Sequence, residues 1–148
     1  MKKYIILLLS TVLLFSCQDE LTQHEKDIEQ IKEYLQEQDI EAESTDSGLH
    51  YTITSEGNGP VPHSNSIVEI KYKGSLMEDG TVFDEGVTKS FLKNYIEGWI
   101  EGLQFYKEGS KGMLFVPSSL GYGAMGRDPV PPNSILIFDV ELLYVATK

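Results

Sequence analysis

The sequence has little cysteine and little positive charge, and each shortage excludes a class of protein. Its single cysteine, Cys17, cannot form a disulfide within the chain, so stability must come from a packed core. Only 12 lysines and arginines stand against 23 acidic residues, which gives a net charge of −11. So acidic a chain repels nucleic acid and anionic lipid headgroups. We therefore expect no nucleic-acid partner.

The residues that usually carry bond-breaking chemistry are few and scattered. The three histidines (His24, His50 and His63) show no metal-ligand spacing, and no glycine-rich loop precedes the Lys-Ser/Thr pair that binds phosphate. Ser118 and Ser119 have no histidine partner that the sequence makes visible. The sequence therefore predicts neither a metal nor a cofactor.

One apolar run is present, and it lies at the N-terminus. Two lysines precede an apolar stretch over residues 4–15, which suits an export signal and is shorter than the roughly 20 residues of a membrane-spanning helix. The stretch ends in a small residue followed by Cys17, a pattern that resembles the lipobox of bacterial lipoproteins. We expect a signal peptide over residues 1–16 and lipidation of Cys17. An ordinary signal peptide with an incidental cysteine is the alternative.

Lipidation would make the protein an exported lipoprotein held to a membrane through Cys17. Removal of residues 1–16, which carry two lysines and no acids, leaves 132 residues with a net charge of −13. This length suits one domain and a short extension. Gln18, in place of an aspartate, favours the outer membrane by analogy with known sorting rules.

Residues 17–48 form the predicted extension, a tether. Its segment 18–43 contains no glycine or proline, and polar residues dominate it. Apolar residues recur there at spacings of seven, three and four, which predicts an amphipathic helix with a narrow apolar stripe: Leu21, Ile28, Ile31 and Leu35. The stripe either docks on the following domain or forms a weak dimer through a coiled-coil seam. A turn-rich linker over residues 44–48 follows.

Alternating apolar residues dominate from residue 49 onward and predict a mainly β domain over residues 49–148. Predicted strands start or lie at five places: 49–54, 67–72, 81–84, 113–116 and 134–145. One short helix begins near Trp99, the only tryptophan. The pattern predicts an α+β domain in which a helix covers one face of an antiparallel sheet. Taken locally, Trp99 is a core residue, and a platform for a ligand is the alternative.

Aromatic residues beside glycines or at strand ends are the remaining candidates for a site. They fall in six ordered motifs: Tyr72-x-Gly74, Asp79-Gly80-x-x-Phe83-Asp84, Ile96-x-Gly98-Trp99-x-x-Gly102, Gly121-Tyr122-Gly123, Pro131-Pro132-Asn133 and Phe138-Asp139-Val140-Glu141-Leu142. In this order and spacing they resemble the FKBP-type peptidyl-prolyl cis-trans isomerases over residues 49–148. The resemblance implies an antiparallel sheet wrapped around one short helix, with an apolar pocket between them.

The resemblance also implies a role for each matching residue. Three would be catalytic: Trp99 as the pocket floor under the proline ring, Asp84 near the twisting amide, and Tyr122 as a hydroxyl donor to the substrate carbonyl. Six would bind substrate: Tyr72, Phe83, Phe91 and Phe138 as aromatic walls, Ile96 through its backbone N–H, and Val130 at the rim. Gly98 would give the start of the helix close access to the pocket.

The implied activity is isomerisation of X-Pro bonds, which helps exported proteins past slow folding steps. No bond breaks in this reaction, so it needs no nucleophile. Proline-containing polypeptides would be the substrates, and macrolides are candidate ligands. A non-catalytic chaperone or peptide-binding module on the same fold is the alternative function.

The sequence departs from the family pattern in two places, both beside the pocket. The segment between Asp84 and Ile96 lacks the arginine that often supports the aspartate, and Lys89 is no obvious replacement. Residues 127–130 replace a histidine-bearing loop. We expect both changes to affect turnover, macrolide sensitivity and substrate preference rather than the fold.

Overall fold

The computed structural model describes residues 21–146 of the 148-residue chain. The predicted signal peptide, and Cys17 with its predicted lipid, lie outside these residues. Among the helices that are described, none is both long enough and apolar enough to span a membrane.

One antiparallel sheet of six strands organises the domain. The strands follow the spatial order β1-β2-β5-β6-β3-β4. The helices are α1 (Gln23–Glu37) and α2 (Glu97–Gly102), and the strands are β1 (Glu43–Ser44), β2 (His50–Ser55), β3 (Ile67–Leu76), β4 (Val82–Phe91), β5 (Lys111–Val116) and β6 (Leu136–Ala146). The predicted α+β fold, with one short helix against an antiparallel sheet, is therefore confirmed.

The main core lies between the sheet and α2. Side chains alternate between the two faces of a strand, and the members that face α2 are the apolar ones in β3, β5 and β6. They form one buried cluster with the residues of the helical region: Val68, Ile70, Leu114, Val116, Leu136, Phe138, Val140, Leu142, Trp99 and Leu103. This cluster holds α2 in the curve of the sheet, and the first turn of α2 carries Trp99.

The sheet has one more edge strand than the sequence predicts. The last residue of the predicted helical segment and the first residue of the predicted linker form β1, where Glu43 pairs with Tyr51 and Ser44 with His50. A tight turn makes this pairing possible because Gly48 adopts a φ of +82°, a conformation that glycine tolerates without strain. The tether is therefore joined to the sheet by backbone pairing.

Helix α1 begins later than its predicted segment and packs on the domain. Thr22 starts the helix with a capping box, in which Glu25 N–H donates to Thr22 Oγ1 (3.3 Å) and Thr22 N–H donates to Glu25 Oε2 (2.7 Å). Leu21 thus lies before the helix and is 41% exposed. The apolar stripe docks on this chain's own sheet through Ile31 and Leu35, the docking alternative of the two proposed for the tether.

The face that α1 covers is the one opposite α2. Ile31 and Leu35 bury their side chains with Phe115, Ile135 and Ile137 in a second apolar cluster. Phe115 and Ile137 point to this outer face because they alternate with core residues on either side along β5 and β6. The expectation of a sheet covered on one face is therefore incomplete, since a helix packs on each face.

Candidate functional site

A cavity of about 330 Å³ lies between the sheet and the start of α2. Eleven residues line it, and most of them are aromatic: Tyr72, Phe83, Asp84, Thr88, Asn94, Tyr95, Ile96, Trp99, Tyr122, Arg127 and Phe138. A larger groove of about 710 Å³ crosses the outer face of the sheet. Lysines and acids line that groove and pair across strands, as in Lys73–Asp139 and Lys111–Glu141 (both 3.1 Å), so it is a solvated charged surface.

Trp99 forms the floor of the 330 Å³ cavity. Its side chain is 4% exposed, and the rings of Tyr72 and Phe138 meet it edge-on, each at a centroid distance of 5.2 Å. Ile96 caps α2 immediately beside it, where the Ile96 carbonyl accepts from the Trp99 N–H at 2.9 Å. The indole Nε1 is buried without a hydrogen-bond partner among the described residues. Trp99 thus belongs to the core and also lines the cavity, and its role as a platform for a ligand stays a prediction.

Gly98 allows α2 to pack closely against β5 behind Trp99 and does not open access to the cavity. A Cβ at this position would lie 2.6 Å from Val116 Cγ1, so only glycine lets the start of α2 lie this close to β5. The expected role of Gly98 is corrected accordingly. Its lack of a side chain fixes the depth of the floor, since it sets how closely α2 approaches the sheet.

Phe83 and Phe138 form one wall, and a glycine behind them sets its position. The two rings meet edge-to-face with centroids 5.7 Å apart. The pairing of β3 with β4 shifts from Gly74–Asp84 to Ser75–Val82, which leaves Phe83 as the extra residue of a bulge. A Cβ on Gly74 would lie 2.6 Å from Phe83 Cζ and 2.8 Å from Phe138 Cε1. The wall can therefore form only if residue 74 has no side chain.

Tyr72 and Asp84 form the polar pair of the site. The Tyr72 hydroxyl donates to Asp84 Oδ2 at 2.8 Å. Partial burial, together with the hydrogen bond to Asp84, raises the pKa of Tyr72 to about 12. The phenol therefore stays protonated, and remains a donor to the carboxylate, throughout the physiological range. Among the described residues Tyr72 is the one hydrogen-bond partner of the Asp84 side chain.

No basic residue of β4 supports Asp84. Lys89, the basic residue of β4, pairs with Glu69 at 2.9 Å, and its Nζ lies 4.7 Å from the centre of the Tyr144 ring. The position of Asp84 therefore depends on Tyr72. A neutral phenol therefore donates to Asp84 in a segment that lacks the arginine expected from the resemblance.

Tyr122 and Arg127 line both the cavity and a smaller depression beside it. The Tyr122 ring packs edge-on to Phe83 with centroids 6.5 Å apart, and the Arg127 guanidinium lies 5.7 Å from the centre of the Tyr122 ring. Arg127 and Val130 exchange backbone hydrogen bonds, which closes their loop into a tight hairpin. Val130 is 5% exposed and lines an adjoining depression of about 260 Å³ rather than the main cavity.

The structure brings most of the predicted site residues together. Seven of them line the cavity: Tyr72, Phe83, Asp84, Ile96, Trp99, Tyr122 and Phe138. Phe91 does not line it, which corrects the prediction of a fourth wall. It lies three residues after Thr88, a cavity residue of the same strand, so it points to the opposite face. Its ring is 37% exposed and lies 5.4 Å from Lys93 Nζ.

Four lining residues are absent from the sequence prediction. They are Thr88, Asn94, Tyr95 and Arg127. Tyr95 takes the place predicted for Phe91, since its ring centroid is 5.1 Å from that of Trp99 and its hydroxyl lies 3.1 Å from Thr88 Oγ1. An aromatic residue immediately before the Ile96 motif is the signal that could have found it. Within residues 21–146 no group of three or more His, Cys, Asp or Glu is placed to hold a metal ion.

The chain is similar to known proteins in sequence and in fold. A sequence model described as FKBP-type peptidyl-prolyl cis-trans isomerase matches residues 59–143. The FKBP-type peptidyl-prolyl cis-trans isomerase FkpA of Aeromonas hydrophila is 43% identical over 107 residues, which make up 69% of this chain and 40% of that protein. FkpA of Escherichia coli K12 is 41% identical over 119 residues, which are 77% of this chain and 43% of that protein.

Solved structures give the same result for the fold. The crystal structure of FkpA from Escherichia coli matches with a TM-score of 0.73 and 36% identity, over 82% of this chain and 60% of that one. A peptidyl-prolyl cis-trans isomerase from Pseudomonas syringae pv. tomato matches with a TM-score of 0.72 and 29% identity, over 86% of this chain and 99% of that one. The chain spans about two fifths of the length of the curated relatives described above.

Proposed function

This chain belongs to the FKBP-type peptidyl-prolyl cis-trans isomerase family, and on that premise we propose that its cavity accelerates the cis/trans isomerisation of X-Pro bonds in polypeptides. The observation that carries the proposal is the convergence of a buried indole floor, aromatic walls and two polar groups, Asp84 and Tyr122, in one cavity. At about 330 Å³ the cavity has room for a proline ring, and Asp84 and Tyr122 in its lining would act on the preceding amide.

The reaction requires stabilisation of a twisted amide. Resonance in the planar amide sets a barrier of roughly 18–20 kcal/mol, and uncatalysed X-Pro rotation takes tens to hundreds of seconds. Shortening an event of ~100 s to ~1 ms needs about 7 kcal/mol of stabilisation that is specific to the transition state. No covalent step is required, so the task falls to desolvation and to oriented polar groups.

Each part of the cavity contributes to that stabilisation. Packing of the proline ring on Trp99 removes water from the amide, and the less dipolar twisted state loses less solvation than the planar states do. The Tyr122 hydroxyl would donate to the substrate carbonyl. The twisted carbonyl carbon resembles that of a ketone and is electron-poor, so the Asp84 carboxylate, held by Tyr72 at 2.8 Å, favours it over the planar amide.

Asp84→Ala is expected to lower kcat/KM by about tenfold, which corresponds to the loss of roughly 1.4 kcal/mol from one oriented charged group. The measurement is the rate of a proline-limited refolding phase with and without enzyme. Glu85→Ala is the matched control, because it removes the neighbouring acid of the same strand, which lines the outer groove instead. The control is expected to retain wild-type activity.

Two results would contradict the isomerase proposal. A wild type that leaves the slow refolding phase unaccelerated would exclude catalysis. Suppressed aggregation of the refolding protein, without acceleration and without any effect of Asp84→Ala, would favour the non-catalytic chaperone.

The same cavity is the proposed site of a macrolide, so inhibition of the acceleration by a macrolide would locate the activity there.

We also propose that the protein is exported and anchored by lipid on Cys17, where it would assist the folding of exported proteins. The support is the sequence of residues 1–17. Cys17→Ser is expected to move the protein from the membrane fraction to the soluble fraction of the cell envelope. Ser16→Ala is the matched control, because it keeps a small residue before the cysteine. A membrane fraction unchanged by Cys17→Ser would contradict the anchor.

A further inference from the structure

A buried carboxylate joins α1 to the loop that carries Tyr122. Asp27 lies in the second turn of α1 and is fully buried. Its Oδ2 accepts from the Ser118 N–H at 2.7 Å and from the Ser118 hydroxyl at 2.5 Å, and its Oδ1 accepts from Gln23 Nε2 at 2.7 Å. The carboxylate is thus fixed by its own helix and in turn fixes Ser118, a residue 91 positions away in the chain.

Ser118 begins the segment that leads to the cavity. A short 3-10 turn runs over Ser118–Leu120, Gly121 follows, and Tyr122 comes next. Leu120 and Tyr122 both pack against the main core. A second contact from α1 lies beside the first, where His24 Nδ1 and Ser119 Oγ are 2.8 Å apart. The first two residues of the turn are therefore both held by the tether helix.

We propose that Asp27 is a positioning residue for Tyr122, so that the tether helix is a working part of the catalytic unit. Asp27 anchors the start of the segment, and the core anchors Leu120, which leaves Tyr122 little freedom to move its hydroxyl. The inference rests on the proposed isomerase activity, because the hydroxyl matters only if it donates to the twisted amide.

Packing of α1 does not by itself account for an acid at this position. Asp27, Ile31 and Leu35 follow one another at spacings of four and form the buried stripe of the helix. An apolar residue would continue the stripe without the desolvation penalty that a buried carboxylate carries. The acid instead satisfies a buried backbone N–H and a buried hydroxyl on Ser118, both of which an apolar residue would leave without a partner.

A double-mutant cycle tests the coupling of Asp27 to Tyr122. Asp27→Ala is expected to lower kcat/KM by about fivefold with little change in KM, because the floor and walls that bind proline stay in place. In a Tyr122→Phe background, which lacks the hydroxyl, Asp27→Ala is expected to lower kcat/KM by less than about twofold. Asp27→Asn keeps an acceptor for Ser118 and is expected to restore most of the activity that alanine loses.

The control is Ser110→Ala, which removes another fully buried acceptor of backbone N–H groups. The Ser110 hydroxyl accepts from Gly57 and Lys107 N–H groups and lies outside the cavity. This variant is expected to lower stability without changing kcat/KM. Equal losses from Asp27→Ala in the wild-type and Tyr122→Phe backgrounds would overturn the inference, since independent effects multiply.

Hydrogen exchange of the backbone amides separates this inference from the proposed function. Asp27→Ala is expected to speed exchange over residues 118–126 more than Ser110→Ala does. If the wild type itself proves inactive, the proposed function fails, and unchanged exchange over 118–126 would then overturn the positioning role of Asp27 as well. If the wild type is active and exchange is unchanged, the positioning role alone is overturned.

Discussion

Trp99→Leu is expected to lower kcat/KM for an X-Pro substrate by roughly 10- to 100-fold while the domain remains folded. Leucine keeps an apolar side chain in the core but removes the flat surface on which a proline ring can pack. Loss of that contact corresponds to about 1.4–2.7 kcal/mol of binding energy, within the range for burial of one apolar side chain.

The same substitution also loosens the core. Trp99 is 4% exposed and contacts the rings of Tyr72, Tyr95 and Phe138. A smaller residue is expected to lower the free energy of unfolding by about 2–4 kcal/mol, which most domains of this size survive. Activity must therefore be measured per folded molecule, with denaturant unfolding of the same samples.

Leu103→Ala is the control that distinguishes the role of Trp99 as the cavity floor from its role in the stability of the core. Leu103 is fully buried in the same cluster, directly after α2, and does not line the cavity. Its truncation is expected to lower stability by about 2–5 kcal/mol and to leave kcat/KM unchanged. If Trp99→Leu lowers stability to the same extent but leaves kcat/KM intact, Trp99 is a core residue and nothing more.

Gly74→Val is expected to lower kcat/KM by about 100-fold. A side chain at residue 74 would lie 2.6 Å from the ring of Phe83 and 2.8 Å from that of Phe138, so both rings must move. The space open to them is the cavity of about 330 Å³ that has to hold the proline ring. Misplacement of a positioning group by about 1 Å is enough to cost 100-fold in rate.

Lys73→Val is the matched control for Gly74→Val. It places the same β-branched residue one position earlier in β3, where the side chain points to the outer groove. Valine suits a strand, so the control is expected to retain activity and to lose only the exposed ion pair with Asp139. Full activity of Gly74→Val would show that the wall tolerates displacement and that Gly74 does not set the shape of the cavity.

The strands and the short helix could be predicted because each leaves a local trace. Alternation of apolar residues marks β2 and β3, a long apolar segment marks β6, and the flanking glycines mark the turn into α2. Seven of the eleven cavity residues could be predicted from the ordered motifs. The error at Phe91 has a physical cause, since the bulge at Phe83 and the full length of β4 decide which face each side chain takes, and neither is visible before β4 is paired with β3.

The docking of α1 could have been predicted from the strands that it covers. Residues 113–116 and 135–138 are apolar without interruption, as expected of strands that are buried on both faces. These strands predict a helix over the second face, and the amphipathic helix of the tether carries an apolar stripe that can cover it. The role of Asp27 had no such trace, because its partner is 91 residues away and an acid on an amphipathic helix is usually solvated.

The docked helix also limits how far the domain can stand from an anchor. If α1 were a free spacer, its 15 residues would add about 22 Å to the distance between the lipid anchor and the domain. Because α1 packs on the sheet, only the six residues 17–22 lie between Cys17 and the start of the helix, and even fully extended they reach about 20 Å. A lipid on Cys17 would therefore hold the domain at the bilayer surface, where it would meet chains that emerge from the membrane.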